Sequence, residues 1–170
     1  ARAPLALLAT EIVASTALVE AIGDEAWADV VRWHDRAIRA AADRHGAQAA
    51  DRSGEGFLLA FDAASTAADC AVAIQRALAD HRRVHGFAPG VRIGLHHARV
   101  EDVGGAYAGL GIQVATRLAG AAGAGQVLAS GAFASELGPR YPTSEPRAVS
   151  LGGFSAPVPV VTLDWRSTDA

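Results

Sequence analysis

The sequence predicts an α+β fold. It reads as a ferredoxin-like βαββαβ core, an antiparallel sheet with helices on one face and extra strands toward the C-terminus. Short apolar runs of strand length alternate with long stretches of helical period. Two of the runs are joined by a tight glycine turn, Ser53-Gly54-Glu55-Gly56. No repeat, low-complexity linker or change of composition divides the 170 residues, so 1–170 is expected to form one domain.

Taken in order, Leu5–Val13 is a buried first strand, and Ser15–Ile22 a short helix that stops at Gly23. Asp24 stands where an N-cap belongs, and a long helix follows to about His45. Its Trp27, Val30, Val31, His34, Ile38, Ala41, Ala42 and His45 repeat at the helical period, which makes the histidines core-edge residues rather than ligands. Ala47–Arg52 is a weak strand and Phe57–Phe61 a strong one, with Gly54 at the first central position of a type II′ turn. Ala63–His81 is a second long helix that turns Ala67, Cys70, Ala71, Ile74 and Leu78 inward. Val91–Val100 is a strand leading into the polar connection Glu101–Gly105. Gly111–Ala122 is a helix, Gln126–Ser130 a strand, Ala132–Leu137 a short helix, and Pro157–Asp164 the one clear strand of the tail.

Composition narrows the function. The net charge of −3 argues against a nucleic-acid binder, which would carry a basic face. All 15 basic residues are arginine, so no mechanism can use a catalytic lysine, a Schiff base or a P-loop lysine. The abundance of alanine, arginine and glycine suggests a GC-rich bacterial origin. No apolar run is long enough to span a membrane, and the apolar N-terminus leads straight into patterned sequence as a strand, not a signal peptide. The single cysteine, Cys70, excludes an internal disulfide and fits a reducing cytoplasm; its place on the inward helix face makes it buried filler before a nucleophile.

Three places can carry chemistry. In Thr10–Thr16, "TEIVAST", an acid ends an apolar strand and a small-residue turn opens a helix, where backbone N–H groups can meet phosphate. In "SGEGF", Glu55 is either a solvated turn residue or an acid held at a hairpin tip. The first strand lies beside that hairpin in this topology, which lets Glu11 and Glu55 converge as a pair of magnesium ligands. On the third helix Gln113 and Arg117, four residues apart, share the face opposite its apolar stripe. They are either a solvated face or a grip on phosphate or another subunit.

Together these segments resemble the catalytic domain of the class III nucleotidyl cyclases, the adenylate and guanylate cyclase family, from about Leu5 to Leu137, leaving 138–165 as a C-terminal strand extension. The small bacterial members show "TDIVGST", "GDEAW", "GDGF", "RIGLH" and "GQVL". This chain has "TEIVAST" at Thr10–Thr16, "DEAW" at Asp24–Trp27 after Gly23, "GEGF" at Gly54–Phe57, "RIGLH" at Arg92–His96 and "GQVL" at Gly125–Leu128, in the same order. The resemblance implies a head-to-tail homodimer acting on a nucleoside triphosphate with Mg or Mn. It places the metal ligands at Glu11 and Glu55, and the phosphate loop at Ile12, Val13, Ala14, Ser15 and Thr16. The transition-state pair falls at Gln113 and Arg117 and the purine-reading pair at Asp51 and Ala106.

The departures from the family pattern are specific. Glutamate replaces aspartate at both metal positions, and glutamine replaces asparagine at 113. Each change moves the polar group out by one C–C bond, roughly 1.5 Å, and a misplacement of about 1 Å can cost about 100-fold in rate. Asp51 and Ala106 remove the expected base contacts, and Ala14 replaces a glycine. The implied function is a dimeric regulatory or nucleotide-sensing module, a pseudoenzyme with little or no cyclase turnover. The alternative is an active cyclase of relaxed specificity that forms cyclic nucleotide and pyrophosphate with Mg or Mn.

Overall fold

The computed structural model describes residues 4–14, 16–104 and 106–166. Ser15 of the expected phosphate loop and Gly105 of the expected connection lie outside the described residues. The chain runs β1 (Leu5–Val13), α1 (Thr16–Ile22), α2 (Asp24–Arg44), β2 (Ala49–Ser53), β3 (Gly56–Phe61), α3 (Ala64–His85) and β4 (Gly90–Ala98). It continues through β5 (Glu101–Val103), β6 (Ala106–Ala108), α4 (Leu110–Ala121), β7 (Val127–Ser130), α5 (Gly131–Leu137), β8 (Arg147–Val149) and β9 (Val158–Thr162).

A 7-stranded sheet has the order β2-β3-β1-β4-β7-β9-β8. Its first four strands are the β2-β3-β1-β4 core that a βαββαβ chain forms. The sheet is antiparallel except for β4 and β7, which pair in parallel through Ile93–Val127 to Leu95–Ala129. β1 is central, which explains its unbroken apolar run: Ala6 and Leu8 pack with α2 and α3, while Leu5, Leu7 and Ala9 pack with α4.

The helices therefore cover both faces, not one as the sequence suggested. Gly94 makes this possible, because a Cβ there would stand 2.5 Å from both Ala115 O and Ala119 N. Without a side chain, β4 lets α4 lie directly on the sheet. On the other face Gln75, almost wholly buried, donates through Nε2 to Val91 O (3.0 Å) and Gln126 O (3.3 Å), tying α3 to the sheet with its amide satisfied.

Element ends shifted where backbone geometry overruled pattern. Gly23, at φ 88°, is the N-cap of α2, and Asp24 with Glu25 instead occupies the first turn, where carboxylates oppose the helix dipole. α3 runs four residues past His81 to His85 and stops at Gly86, φ 81°. The segment expected as a polar connection forms the two-stranded β5–β6 hairpin, and β8 adds an edge strand that three residues could not signal. The C-terminal segment is clamped to α3 by Arg140, whose Nε and Nη2 donate to Asp69 at 2.8 and 2.7 Å, and by a Tyr141 hydroxyl bond to Asp69 Oδ1 (2.5 Å).

Candidate functional site

The β1–β3 register sets Glu11 opposite Gly56, and the β1–β4 register sets it opposite Arg92. By strand alternation Glu11 follows Leu7 and Ala9 onto the α4 face. Its Oε2 approaches that helix, lying 3.7 Å from where a Cβ at Gly120 would stand.

Ser53 pairs with Gly56, which leaves Gly54 and Glu55 as the two turn residues. Gly54 has φ 58°, and no described non-glycine residue has positive φ, the sign pattern of the expected type II′ turn. Two bonds hold the turn against β1: Phe57 N to Thr10 Oγ1 (2.9 Å) and Ile12 N to Glu55 O (3.3 Å). From the other side Arg52 bonds Asp35 of α2 and lies over the Phe57 ring, 5.2 Å from its centroid.

A cleft of about 330 Å³ opens between this turn and α4, lined by Glu11, Gly54 and Glu55 with Thr116 and Ala119 opposite. The two glutamates thus share one cleft. Glu11 also borders a second groove of about 350 Å³, where it meets Thr116, Arg117 and the Ser150–Gly152 segment. A smaller cavity of about 170 Å³ behind the turn is bounded by Ile12, Trp27, Val31 and Glu55.

The other expected positions are placed as follows. Gln113 and Arg117 are both exposed on α4, and Gln113 lines neither of the two larger clefts just described. The Arg117 guanidinium lies beside the Gly152–Gly153 turn of its own chain. Asp51, exposed, is paired with Leu58 and so faces the α4 side along with Ala9 and Glu11. Ala106 is exposed in the β5–β6 hairpin. Ile12 is buried, Val13 half-buried, and Ala14 and Thr16 are exposed at the entry to α1.

Sequence reading assigned no role to Thr10, Arg92 or Thr116. Arg92 donates from Nη1 to Gly120 O (3.1 Å), while its buried Nε has no hydrogen-bond partner. Its place beside Glu11 depends on strand register, which composition and spacing do not disclose. The nearby histidines serve the fold. Burial, reinforced by the charge of His97, holds His96 down at about 4, and its Nδ1 lies 2.6 Å from Ser130 Oγ, the N-cap of α5. Buried His34 is likewise pushed below its ordinary range by desolvation, against the pull of Asp35.

Among the described residues no group of three or more His, Cys, Asp or Glu side chains is placed to hold a metal. The Glu11–Glu55 pair suits another arrangement, in which magnesium takes one or two carboxylates and completes its shell from substrate phosphates and water. The donor set fits a cation that arrives with a polyphosphate. No helix among the described residues is long and apolar enough to cross a membrane.

No family model matches the sequence, and no curated protein matches it significantly. Solved structures do match. An adenylate cyclase from Trypanosoma brucei, described in its monomeric state, superposes with a TM-score of 0.83 at 22% identity, over 98% of this chain and 92% of that one. The adenylyl cyclase CyaB from P. aeruginosa gives 0.82 at 20% identity, over 95% and 93%. The guanylate cyclase domain of RhGC from Catenaria anguillulae, solved with GTP, gives 0.80 at 16% identity, over 95% and 96%. From β1 to β9 the chain has the fold of the class III adenylate and guanylate cyclase catalytic domains.

Proposed function

We propose that this chain is a cyclase-homology domain that binds a nucleoside triphosphate with Mg or Mn between paired copies, with little or no turnover, and acts as a regulatory or nucleotide-sensing module. The observation that carries the reading is the cleft shared by Glu11 and Glu55, an acid pair on a rigid strand and a pinned turn. Arg92, cross-strand from Glu11, and Arg117, in the groove that Glu11 borders, add positive charge for phosphate oxygens. The cation, when bound, would offset phosphate charge and acidify the ribose 3′ hydroxyl. Glu11 and Glu55 would hold it, each reaching one methylene further than an aspartate, which is the reason for expecting weak chemistry.

Asp51 bears on the base. A carboxylate offers only acceptors, which suits the N1–H and N2–H₂ donors of guanine better than adenine, whose edge carries an acceptor at N1. GTP is therefore the favoured nucleotide. Pairing of copies is supported by two exposed large apolar side chains, Val103 on β5 and Leu110 at the start of α4, 64% and 69% exposed.

The second reading, an active cyclase of relaxed specificity, draws on the same acid pair. One experiment separates the two: incubate the protein with Mg or Mn and ATP or GTP, measure cyclic product, and titrate the same nucleotides by calorimetry. Binding without product supports the module. Product that disappears in Glu55→Ala refutes it, and absence of both binding and product removes the nucleotide from either reading. Sedimentation that shows only monomer across micromolar concentrations would refute the pairing.

A further inference from the structure

We propose a second anion site, for a phosphate or pyrophosphate group, in the cleft between the C-terminal half of α3 and the Trp165–Arg166 segment. Two adjoining hollows make up this cleft. One, of about 400 Å³, is lined by Arg76, Asp80, Trp165 and Arg166. The other, of about 180 Å³, is lined by Gln75, Arg82, Gly125 and the same Trp165 and Arg166. Residues 75, 76, 79 and 82 follow one face of α3, so the helix presents its arginines as a group.

Arg82 and Arg166 line the cleft together. Of the nearby described carboxylates, Asp80 faces Arg83 at 3.6 Å and Asp164 accepts from the Arg166 backbone N–H at 3.0 Å. Neither Arg82 nor Arg166 has a carboxylate side-chain partner among the described residues; Arg82 Nη2 makes only a long 3.4 Å bond to Ala88 O. Arg166 is set in place by a platform. Its guanidinium lies 4.3 Å from the Trp165 ring centroid, and that indole is fixed by its own Nε1 bond to Gly125 O (2.7 Å). Gly125 also leaves the space that Arg166 uses, since a Cβ there would stand 3.3 Å from Nη2. Pre-positioned planar guanidinium forks match the oxygens of a phosphate group. More than one of them in a cleft favours a multiply charged anion over a single carboxylate.

The site is separate from the Glu11 cleft. Val91, in its wall, packs with the α3-side core, whereas Glu11 faces α4 across the sheet, and the two places share no lining residue. The inference does not depend on the proposed nucleotide chemistry.

The test is calorimetric titration of the full chain with inorganic phosphate, pyrophosphate and ATP at 0.1 M salt or below, where charge is weakly screened. Pyrophosphate should bind, and Arg82→Gln with Arg166→Gln should weaken it by about tenfold or more. Glu11→Ala with Glu55→Ala should leave pyrophosphate binding unchanged. Phosphate and pyrophosphate binding without ATP marks a free-anion site; ATP binding lost in the same arginine variant marks a nucleotide-borne one. Because substitution at Arg166 also disturbs packing on Trp165, the Trp165 indole N–H resonance of the wild type provides a second readout and should shift on titration. Absence of pyrophosphate binding at millimolar concentration overturns the proposal. So does unchanged affinity in the arginine variant, loss in the glutamate variant, or a titration that leaves the Trp165 resonance still.

Discussion

Replacing Gly56 by alanine tests the architecture of the Glu11–Glu55 cleft directly. A Cβ at Gly56 would stand 1.7 Å from Thr10 O, short by roughly 1.6 Å of an ordinary carbon–oxygen contact of about 3.3 Å. The obstacle is backbone of the neighbouring strand, so no side chain can swing away, and β1 and β3 must part. Parting them at the Glu11–Gly56 pair breaks the bonds from Phe57 N to Thr10 Oγ1 and from Ile12 N to Glu55 O. Two lost bonds cost about 1 kcal/mol each, and overpacking adds about 1–3 kcal/mol. The expected loss is about 3–5 kcal/mol, or about 6–20 °C in Tm for a chain of this size. Urea unfolding should show a lower midpoint at unchanged slope. The control is Gly54→Ala, where a Cβ meets nothing within 4 Å and the only cost is the φ of 58°, about 1–2 kcal/mol. If Gly56→Ala is no more destabilising than Gly54→Ala, the close β1–β3 approach at Glu11 is refuted.

Three further outcomes are expected. Burial raises the Asp69 carboxyl, but the bonds from Arg140 and Tyr141 outweigh it and leave the group below its ordinary value. Its stabilisation is thus complete above about pH 4 and lost as pH falls through the lowered folded value, so Asp69→Asn should lower Tm at pH 7 and flatten the acid limb of the Tm–pH curve. His96 moves from 6.5 to about 4 on folding. Between those values the unfolded chain takes up a proton that the folded one refuses, so stability should fall as pH drops from about 6.5 toward about 4; His96→Gln should reduce that slope, and an unchanged slope would refute the assignment. Burial pushes the Cys70 thiol up to about 12, so a thiol reagent at pH 8 should label the chain only on unfolding, and stoichiometric labelling of the folded protein would contradict its enclosure.

Much of the fold was legible because its signals are local. The apolar run at the start of β1, the Gly54 turn and the α3 stripe each record one element's period or one residue's φ. What escaped depends on partners distant in sequence. That α4 covers the second face follows from the missing side chain at Gly94, which reads as nothing until Ala115 and Ala119 are brought above it. The three-residue strands β5, β6 and β8 carry too few positions for an alternating pattern. The site divides in the same way. Glu11 and Glu55 stand out as acids beside apolar strands, and Gln113 with Arg117 shares an exposed face as their spacing required. Arg92 becomes a neighbour of Glu11 only through the β1–β4 register, and the Arg82–Arg166 cleft joins residues 84 positions apart that no motif links.

The two edges of the sheet have a consequence for how the protein meets copies of itself. β2 forms one edge and exposes the charged side chains of Asp51 and Arg52; β8 forms the other, three residues long and beginning with the exposed Arg147. Short or charged borders discourage strand-to-strand addition, the route by which sheets run on into fibres. Association is thereby steered onto the faces, where contact is made by side chains and dilution can reverse it.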